Sequence, residues 1–167
     1  MAILEIRIFP DPVLRSTCPA VETFDEDLHR LVDDMVETMY AAPGVGLAAP
    51  QVGVEKRLAV VDVSVSKEPE RLLVLINPEI VESSGREVDF EGCLSIPQLS
   101  EKIARPTHVR VRAQDLDGVP FELEAEEFEA RAICHELDHL DGVLFIDHLK
   151  GLRRDRIRRK LRKLELV

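Results

Sequence analysis

The sequence predicts an α+β fold in which mostly antiparallel sheets surround a central helix carrying residues 135–139, with a further helix at the C-terminus. Three observations predict it: an amphipathic helical pattern early in the chain, several consecutive β-like runs in the middle, and two helical segments at the end. Strands that follow one another without intervening helices favour antiparallel sheet over a doubly wound fold. A length of 167 residues corresponds to one domain, residues 1–167.

The composition is that of a soluble globular protein, with 45% hydrophobic and 32% charged residues. The start of the chain lacks the pattern of a secretory signal, and no stretch of about 18 apolar residues is present to cross a membrane. We therefore expect a cytoplasmic protein. Three cysteines, an odd number without repeat spacing, predict reduced thiols rather than a disulfide framework.

The first elements are an extended arm and a helix. The first 21 residues contain three prolines and predict an arm with turns. Apolar residues then recur at intervals of three and four from Leu28 to Tyr40, which predicts an amphipathic helix with Asp25 as its N-cap. Pro43 and Gly44 end this helix.

The middle of the chain has the composition of β-strands. The predicted strands cover residues 58–65, 72–76, 79–84, 107–114 and 120–125. A turn at Asn77-Pro78 is expected between the second and third runs. The segment 115–118, Asp-Leu-Asp-Gly, is a strong hairpin signal between the last two.

The segment 132–140 contains the sequence His-Glu-x-x-His. His135 and His139 lie four residues apart, so on a helix they share one face and direct two imidazoles at one metal ion. Glu136 then lies close enough to act on a water molecule at the metal without being a ligand, as a metal-dependent hydrolase requires. The alternative is two surface histidines on an ordinary amphipathic helix.

A third protein ligand is not identified by this motif alone. The candidates are Cys93, a remote carboxylate, His108 and His148. Two imidazoles, one thiolate and an open fourth position would form a tetrahedral catalytic site, and these residue types alone indicate zinc. The alternative for Cys93 is a buried apolar filler.

The loop 44–53 is rich in small residues, which let the backbone approach a ligand or another element closely. It fits neither common phosphate-binding glycine pattern. Gln51 supplies a side-chain N–H donor within this loop and is a candidate for binding an oxyanion. The alternative is a simple connection.

Charge is distributed unevenly along the chain. Residues 150–163 contain nine Lys or Arg and one acidic residue, whereas residues 1–149 carry a net charge of −17. A basic C-terminal helix, residues 150–167, on an acidic body suggests a local anionic contact such as RNA. The alternative is a solvated helix face that pairs with the acidic body. Its apolar stripe is Leu152, Ile157, Leu161 and Leu164.

Three motifs together resemble those of the peptide deformylases. They are the segments 44–51, Gly-Val-Gly-Leu-Ala-Ala-Pro-Gln; 91–95, Glu-Gly-Cys-Leu-Ser; and 135–139, His-Glu-Leu-Asp-His. Their order and spacing match, and the resemblance extends over essentially the whole chain. It implies a hydrolase that removes the N-formyl group from the initiating methionine of new polypeptides and releases formate.

The resemblance also implies residue roles. Cys93, His135 and His139 match the three metal ligands, with Fe2+ expected and Zn2+, Ni2+ or Co2+ as substitutes. Glu136 matches the general base, Gln51 the side-chain donor to the oxyanion, and Leu94 the residue whose backbone N–H is the second donor. Relatives with a similar C-terminal helix imply docking on the ribosome.

A pocket for the methionine side chain is predicted from helical spacing. Phe128 and Ala132 share a face with the two histidines, so with Val45 and Gly46 opposite they would form an apolar slot beside the metal. Core packing is the alternative for Phe128.

Two other functions are weighed: a general metallopeptidase, and a non-catalytic, metal-stabilised ribosome-binding module.

Overall fold

A five-stranded antiparallel sheet lies between two helices in the computed structural model, which describes residues 2–164. The helices are α1 (Glu26–Ala41), α2 (Glu127–Leu140) and α3 (Gly151–Lys163). The strands are β1 (Gly46–Ala48), β2 (Leu58–Val61), β3 (Leu73–Ser84), β4 (Glu87–Cys93), β5 (Ile96–Arg105), β6 (His108–Gln114) and β7 (Pro120–Glu126). The sheet has the order β1-β2-β3-β6-β7, and β4 and β5 form a separate hairpin. The predicted α+β class is confirmed.

Alternate residues of the sheet face the two helices. Leu58 and Val60 of β2 pack with α1, whereas Val61 packs with α2, as the period of two in a strand requires. The Asp25 carboxylate accepts a hydrogen bond from the Leu28 amide at 3.0 Å, so the predicted N-cap of α1 is confirmed.

The helix α2 is buried on nearly every side. From Ala130 to Leu140, only Asp138 is more than slightly exposed. The helix contacts β1, β2, β6 and β7 of the sheet as well as β5 of the hairpin. It is therefore the central helix of the fold, and its position determines where the His135–His139 pair lies.

The strand β3 replaces the two strands expected at 72–76 and 79–84, so the predicted turn at Asn77-Pro78 is wrong. The pairing with β6 shifts register between Ile76 and Glu79, and Asn77 adopts a positive φ of 51°. The Asn77 side chain hydrogen-bonds to both the N–H and the C=O of Val21. This asparagine therefore forms a bulge that bends one continuous strand instead of reversing the chain.

The hairpin of β4 and β5 was not expected from the sequence. Its inward-facing positions include the charged residues Glu91, Glu101 and Arg105, each less than 10% exposed. Buried charges at these positions hide the alternation of apolar and polar residues by which a strand is recognised. The hairpin is therefore held inward partly by ion pairs.

The helix α3 packs through Ile157 and Leu161, which are buried together with Phe145 and Leu149. Leu152, which belongs to the same apolar stripe, is 86% exposed and does not take part in this packing. On the hairpin, Glu101 lies within 4.0 Å of side-chain nitrogens of Arg153, Arg156 and Lys160. Residues 165–167 of the predicted C-terminal helix lie outside the described residues.

Within residues 2–164, no helix combines the length and apolar character needed to span a bilayer.

The central position of α2 predicts a strong dependence of stability on its core contacts. Ile133 on α2 is fully buried, so Ile133→Ala is expected to lower the free energy of unfolding by about 2–5 kcal/mol through lost burial and a residual cavity. Leu152→Ala is the control, because that side chain is exposed and its loss leaves stability nearly unchanged. Urea unfolding of the metal-free protein measures both. Equal losses in the two variants would contradict the central role of α2.

Candidate metal centre

Three potential metal ligands converge at the centre of the molecule. His135 and His139 lie on one face of α2, and Cys93 is the last residue of β4. The β4–β5 pairing shifts register between Gly92 and Cys93, and such a bulge redirects a side chain. The Cys93 thiol is directed at the two imidazoles as a result.

The distances between these atoms fit a single tetrahedral ion. The Nε2 atoms of the two histidines are 3.2 Å apart, and Cys93 Sγ lies 3.4 Å from Nε2 of His139. Metal–ligand bonds of about 2.0–2.1 Å to nitrogen and about 2.3 Å to sulfur give tetrahedral ligand separations of about 3.3 and 3.5 Å. The donor set therefore fits a divalent transition metal, with one coordination position left over.

The other ligand candidates lie elsewhere. His108 is on β6, 3.6 Å from Glu124 of β7, and His148 contacts Asp138 on α2 at 2.9 Å. Among the described residues, Cys93 is the one potential ligand that lies close enough to share an ion with His135 and His139.

Glu91 orients the first histidine. Its Oε2 lies 2.8 Å from Nδ1 of His135, and because a carboxylate only accepts, Nδ1 carries the proton and Nε2 is free to bind a metal. Arg105 donates to Glu91 twice, at 2.9 and 2.6 Å, and Arg131 donates once at 3.2 Å. Although burial alone raises the pKa of Glu91, the hydrogen bonds from Arg105 and His135 lower that pKa to about 2. Glu91 is therefore ionised across the physiological range.

The two imidazoles have opposite protonation tendencies. Burial disfavours a charged ring in both. In His135 the nearby carboxylate of Glu136 and hydrogen bonds with Cys93 and Glu91 outweigh burial and raise the pKa well above its usual value. In His139 burial and the charge of His135 lower the pKa well below that value. A metal at Nε2 of His135 therefore competes with the second proton that this raised pKa favours, while the Nδ1 proton stays with Glu91.

Glu136 is a buried carboxylate beside the three ligands. Among the described residues its Oε1 has no hydrogen-bond partner, and burial raises its pKa to about 7. A Cβ atom on Gly46 would lie only 2.5 Å from Oε2 of Glu136, so the glycine is needed for this close approach. A carboxyl group with this pKa both accepts and donates protons near neutral pH.

Gln51 has a fixed orientation at the edge of the ligand cluster. It belongs to a short 3₁₀ helix, Ala49–Val52, and its Oε1 accepts from the Ala48 amide at 3.0 Å. Its Nε2 donates to Ser95 Oγ at 3.1 Å and lies 3.6 Å from Cys93 Sγ. The side-chain donor is thus directed at the cluster.

A cavity of about 270 Å³ opens next to these groups. Its lining comprises Gly44, Val45, Gly46, Gln51, Glu91, Gly92, Cys93, Leu94, Arg131, Ala132, His135 and Glu136. Phe128 is not among the lining residues and its side chain is 53% exposed, because it lies in the first turn of α2, before the helix enters the core. The structure brings Val45, Gly46 and Ala132 to the cavity but leaves Phe128 at the surface.

Several residues around the site were not singled out from the sequence. Arg105 donates to Asp138 at 2.8 Å in addition to Glu91, and Arg131 also binds the backbone carbonyls of Glu87 and Ile103. The available signals in the sequence are Glu91, two residues before Cys93, and Asp138, between His135 and His139. Their arginine partners are distant in sequence and gave none.

The chain is similar to proteins of one family. A family model described as Polypeptide deformylase matches residues 3–155. A Peptide deformylase of Acidobacterium capsulatum is 52% identical over 165 residues, which cover 99% of this chain and 97% of that protein. One of Azotobacter vinelandii is 56% identical over 165 residues, 98% of this chain and 96% of that protein. A crystal structure of a peptide deformylase from Legionella pneumophila has a TM-score of 0.91 and 47% identity, covering 98% of this chain and 96% of that chain.

The contacts of Glu91 predict a role in metal affinity. Glu91→Gln keeps the shape of the side chain but removes the charge that orients His135, and is expected to weaken metal binding by about 10–100-fold. Competition with a chromophoric chelator measures the affinity. Glu101→Gln is the matched control, because Glu101 is the buried carboxylate paired with Glu91 across the hairpin but contacts α3 instead. An equal loss in both variants would show that hairpin stability, rather than His135 orientation, is responsible.

Proposed function

The chain belongs to the polypeptide deformylase family, and from this premise we propose that Cys93, His135 and His139 hold its catalytic metal while Glu136 is the general base. As a member of this family the protein is a hydrolase that removes the formyl group from nascent polypeptides. The observation that carries the assignment of roles is the convergence of three ligands on one side of a buried carboxylate that faces a cavity.

Fe2+ is the proposed metal, with Zn2+, Ni2+ or Co2+ as substitutes. Two imidazoles and a thiolate suit this group of ions, and the ligand separations support a tetrahedral site with one open position. When bound, the ion supplies Lewis acidity, which activates water and polarises the formyl oxygen.

Glu136 moves the protons in the proposed reaction. Its carboxylate takes a proton from the attacking water and later gives it to the leaving amine of the methionine. The raised pKa, about 7, supports both steps, because the group is partly ionised at neutral pH, takes up a proton more readily than an ordinary carboxylate, and can still give that proton to the more basic leaving amine. Its burial keeps bulk water from competing for that proton.

Gln51 and Leu94 are the proposed donors to the developing oxyanion. The Nε2 group of Gln51 is fixed by its contacts with Ala48 and Ser95, so it needs no reorganisation during the reaction. Leu94 directly follows the ligand Cys93 and lines the cavity, which supports its backbone N–H as the second donor. Loss of one such donor typically costs about 2.7–4 kcal/mol of transition-state stabilisation.

The methionine side chain is proposed to enter the cavity beside the metal ligands. Val45, Gly46 and Ala132 line the cavity, whereas Phe128 lies at the surface in the first turn of α2. Burial of a methionine side chain contributes about 1.5–3 kcal/mol, enough to favour methionine over polar residues.

The remaining proposals concern the whole chain. We propose one catalytic domain over residues 1–167, since α2 contacts both the sheet and the hairpin. Action on nascent polypeptides supports a cytoplasmic location and proximity to the ribosome, to which α3 would dock through its exposed arginines. The comparisons do not favour a general metallopeptidase or a non-catalytic module.

The role of Glu136 is tested by formate release. Glu136→Gln is expected to retain metal at wild-type affinity and lose nearly all turnover of a formyl-Met dipeptide, because the amide cannot accept the proton from water. The assay uses protein loaded with Fe2+ without oxygen. Glu127→Gln, an exposed position at the start of α2, is expected to keep full activity. More than a few per cent of residual turnover in Glu136→Gln would exclude it as the base.

Ribosome docking through α3 is tested by charge reversal rather than deletion, because deletion would also remove the buried Ile157 and Leu161. Arg158→Glu combined with Arg162→Glu, both exposed, is expected to weaken co-sedimentation with ribosomes and reduce its salt dependence. Turnover of short formyl peptides is expected to stay unchanged. Arg112→Glu on the sheet is the control. Unchanged sedimentation of the double variant across a salt series would contradict docking through α3.

A further inference from the structure

A second buried carboxylate, Asp62, lies outside the proposed chemistry. It directly follows β2 and is fully buried. Its carboxylate accepts hydrogen bonds from the Tyr40 hydroxyl at 2.5 Å, from the Ser64 amide and hydroxyl at 2.9 and 2.6 Å, and from the Ser66 amide at 3.1 Å. A buried charge is costly unless it is well paired, and these four hydrogen bonds offset that cost.

The partners of Asp62 fall into two groups. Ser64 and Ser66 belong to the turn that follows β2, so their hydrogen bonds to Asp62 lie within that turn. Tyr40 comes from the last turn of α1, on a different element. The Tyr40 bond is therefore not needed to form the turn, and it ties the end of α1 to the end of β2.

Between these two elements runs the segment 42–46, which forms one wall of the cavity. The backbone N–H of Asp62 donates to the Val45 carbonyl at 2.8 Å, and the Gly44 N–H donates to the Met39 carbonyl of α1 at 2.8 Å. The segment is thus held at one end by α1 and near its other end by Asp62. The Tyr40–Asp62 hydrogen bond joins the two elements that hold the segment.

The segment 42–46 directly contacts two groups of the proposed mechanism. A Cβ atom on Gly44 would lie 2.8 Å from Leu94 Cδ1, and one on Gly46 would lie 2.5 Å from Glu136 Oε2. Because neither Gly44 nor Gly46 has room for even a Cβ atom, a shift of the segment by a fraction of an ångström changes the width of the cavity. Misplacement of a binding group by about 1 Å is enough to reduce the rate strongly.

We propose that Tyr40 and Asp62 are a positioning pair that fixes the 42–46 wall and thereby determines how tightly a formyl-methionyl peptide binds. The inference rests on the proposed function, since it concerns the same cavity. It differs from the metal-centre contacts in acting on the substrate side, because the side-chain hydrogen bonds of Tyr40 and Asp62 do not involve Cys93 or the two histidines.

The test compares two variants that each remove one hydroxyl donor from Asp62. Tyr40→Phe removes the bond to α1, and Ser64→Ala removes a bond within the turn. We expect Tyr40→Phe to raise KM for a formyl-Met dipeptide by about three- to tenfold, the loss typical of one hydrogen bond to a charged group, with a smaller change in kcat. Ser64→Ala is expected to leave KM unchanged, and metal affinity is expected to be unchanged in both.

A spectroscopic readout follows from the composition, because Tyr40 is the only tyrosine and the chain has no tryptophan. Hydrogen bonding to a carboxylate quenches tyrosine emission. Asp62→Asn is therefore expected to raise the emission and also to raise KM, whereas Ser64→Ala changes neither. This variant shows that the Tyr40–Asp62 contact exists in solution independently of catalysis.

Three outcomes would overturn the inference: an unchanged KM in Tyr40→Phe, an equal rise of KM in Ser64→Ala, or a parallel loss of metal affinity. The second would assign the effect to the turn alone, and the third to general loosening of the site. Wild-type protein is assayed first. Failure of the loaded wild type to release formate contradicts the proposed function itself, and the inference with it, whereas an active wild type with unaffected variants contradicts the inference alone.

Discussion

The ionic cluster around Glu91 is the interaction on which the rest of the site depends. It joins three elements, because Glu91 lies on β4, Arg105 on β5, and Arg131 and His135 on α2. Charges buried to this degree cost several kcal/mol each when unpaired, so the hairpin is stable against α2 only when all of them are in place. Since Cys93 follows Glu91 by two residues, the contact that pairs these charges also brings the Cys93 side chain to the histidines.

The hydrogen bonds of this cluster fix the orientation of its side chains, which apolar contacts do not. Apolar side chains at the same positions would hold the hairpin to α2 as well, and often better, but would leave the His135 ring free to choose its tautomer and tilt. Two arginines fix Glu91, and Glu91 fixes Nδ1 of His135. The buried charges therefore stabilise the packing of the hairpin less than apolar side chains could, but they orient the ring of His135.

The parts of the site that can be predicted from the sequence are those set by residue spacing within a single helix. His135, Glu136 and His139 could be placed because helical spacing alone brings them together, and Asp25 because an N-cap acts within one turn. Local spacing does not single out Cys93 among the candidates for the third ligand, because its approach to the histidines depends on a bulge and on a long-range hairpin. The hairpin itself was missed because its inward side chains are charged, and Phe128 was placed by helical phase without knowledge of where α2 enters the core.

The cavity lies between two polar supports of different origin. On one side, Glu91 and its arginines hold the ring of His135. On the other side, the backbone N–H of Asp62 binds the Val45 carbonyl, and the Tyr40 hydroxyl binds the Asp62 carboxylate. Glu136 lies between them, with its carboxylate against Gly46 and its helix backbone shared with the two histidines. As the proposed general base, Glu136 must keep its distance both to the attacking water and to the leaving amine, so both walls of the cavity need to be fixed. Because the two supports share no residue, the proposed positioning pair is expected to act on substrate affinity separately from the effect of Glu91 on metal affinity.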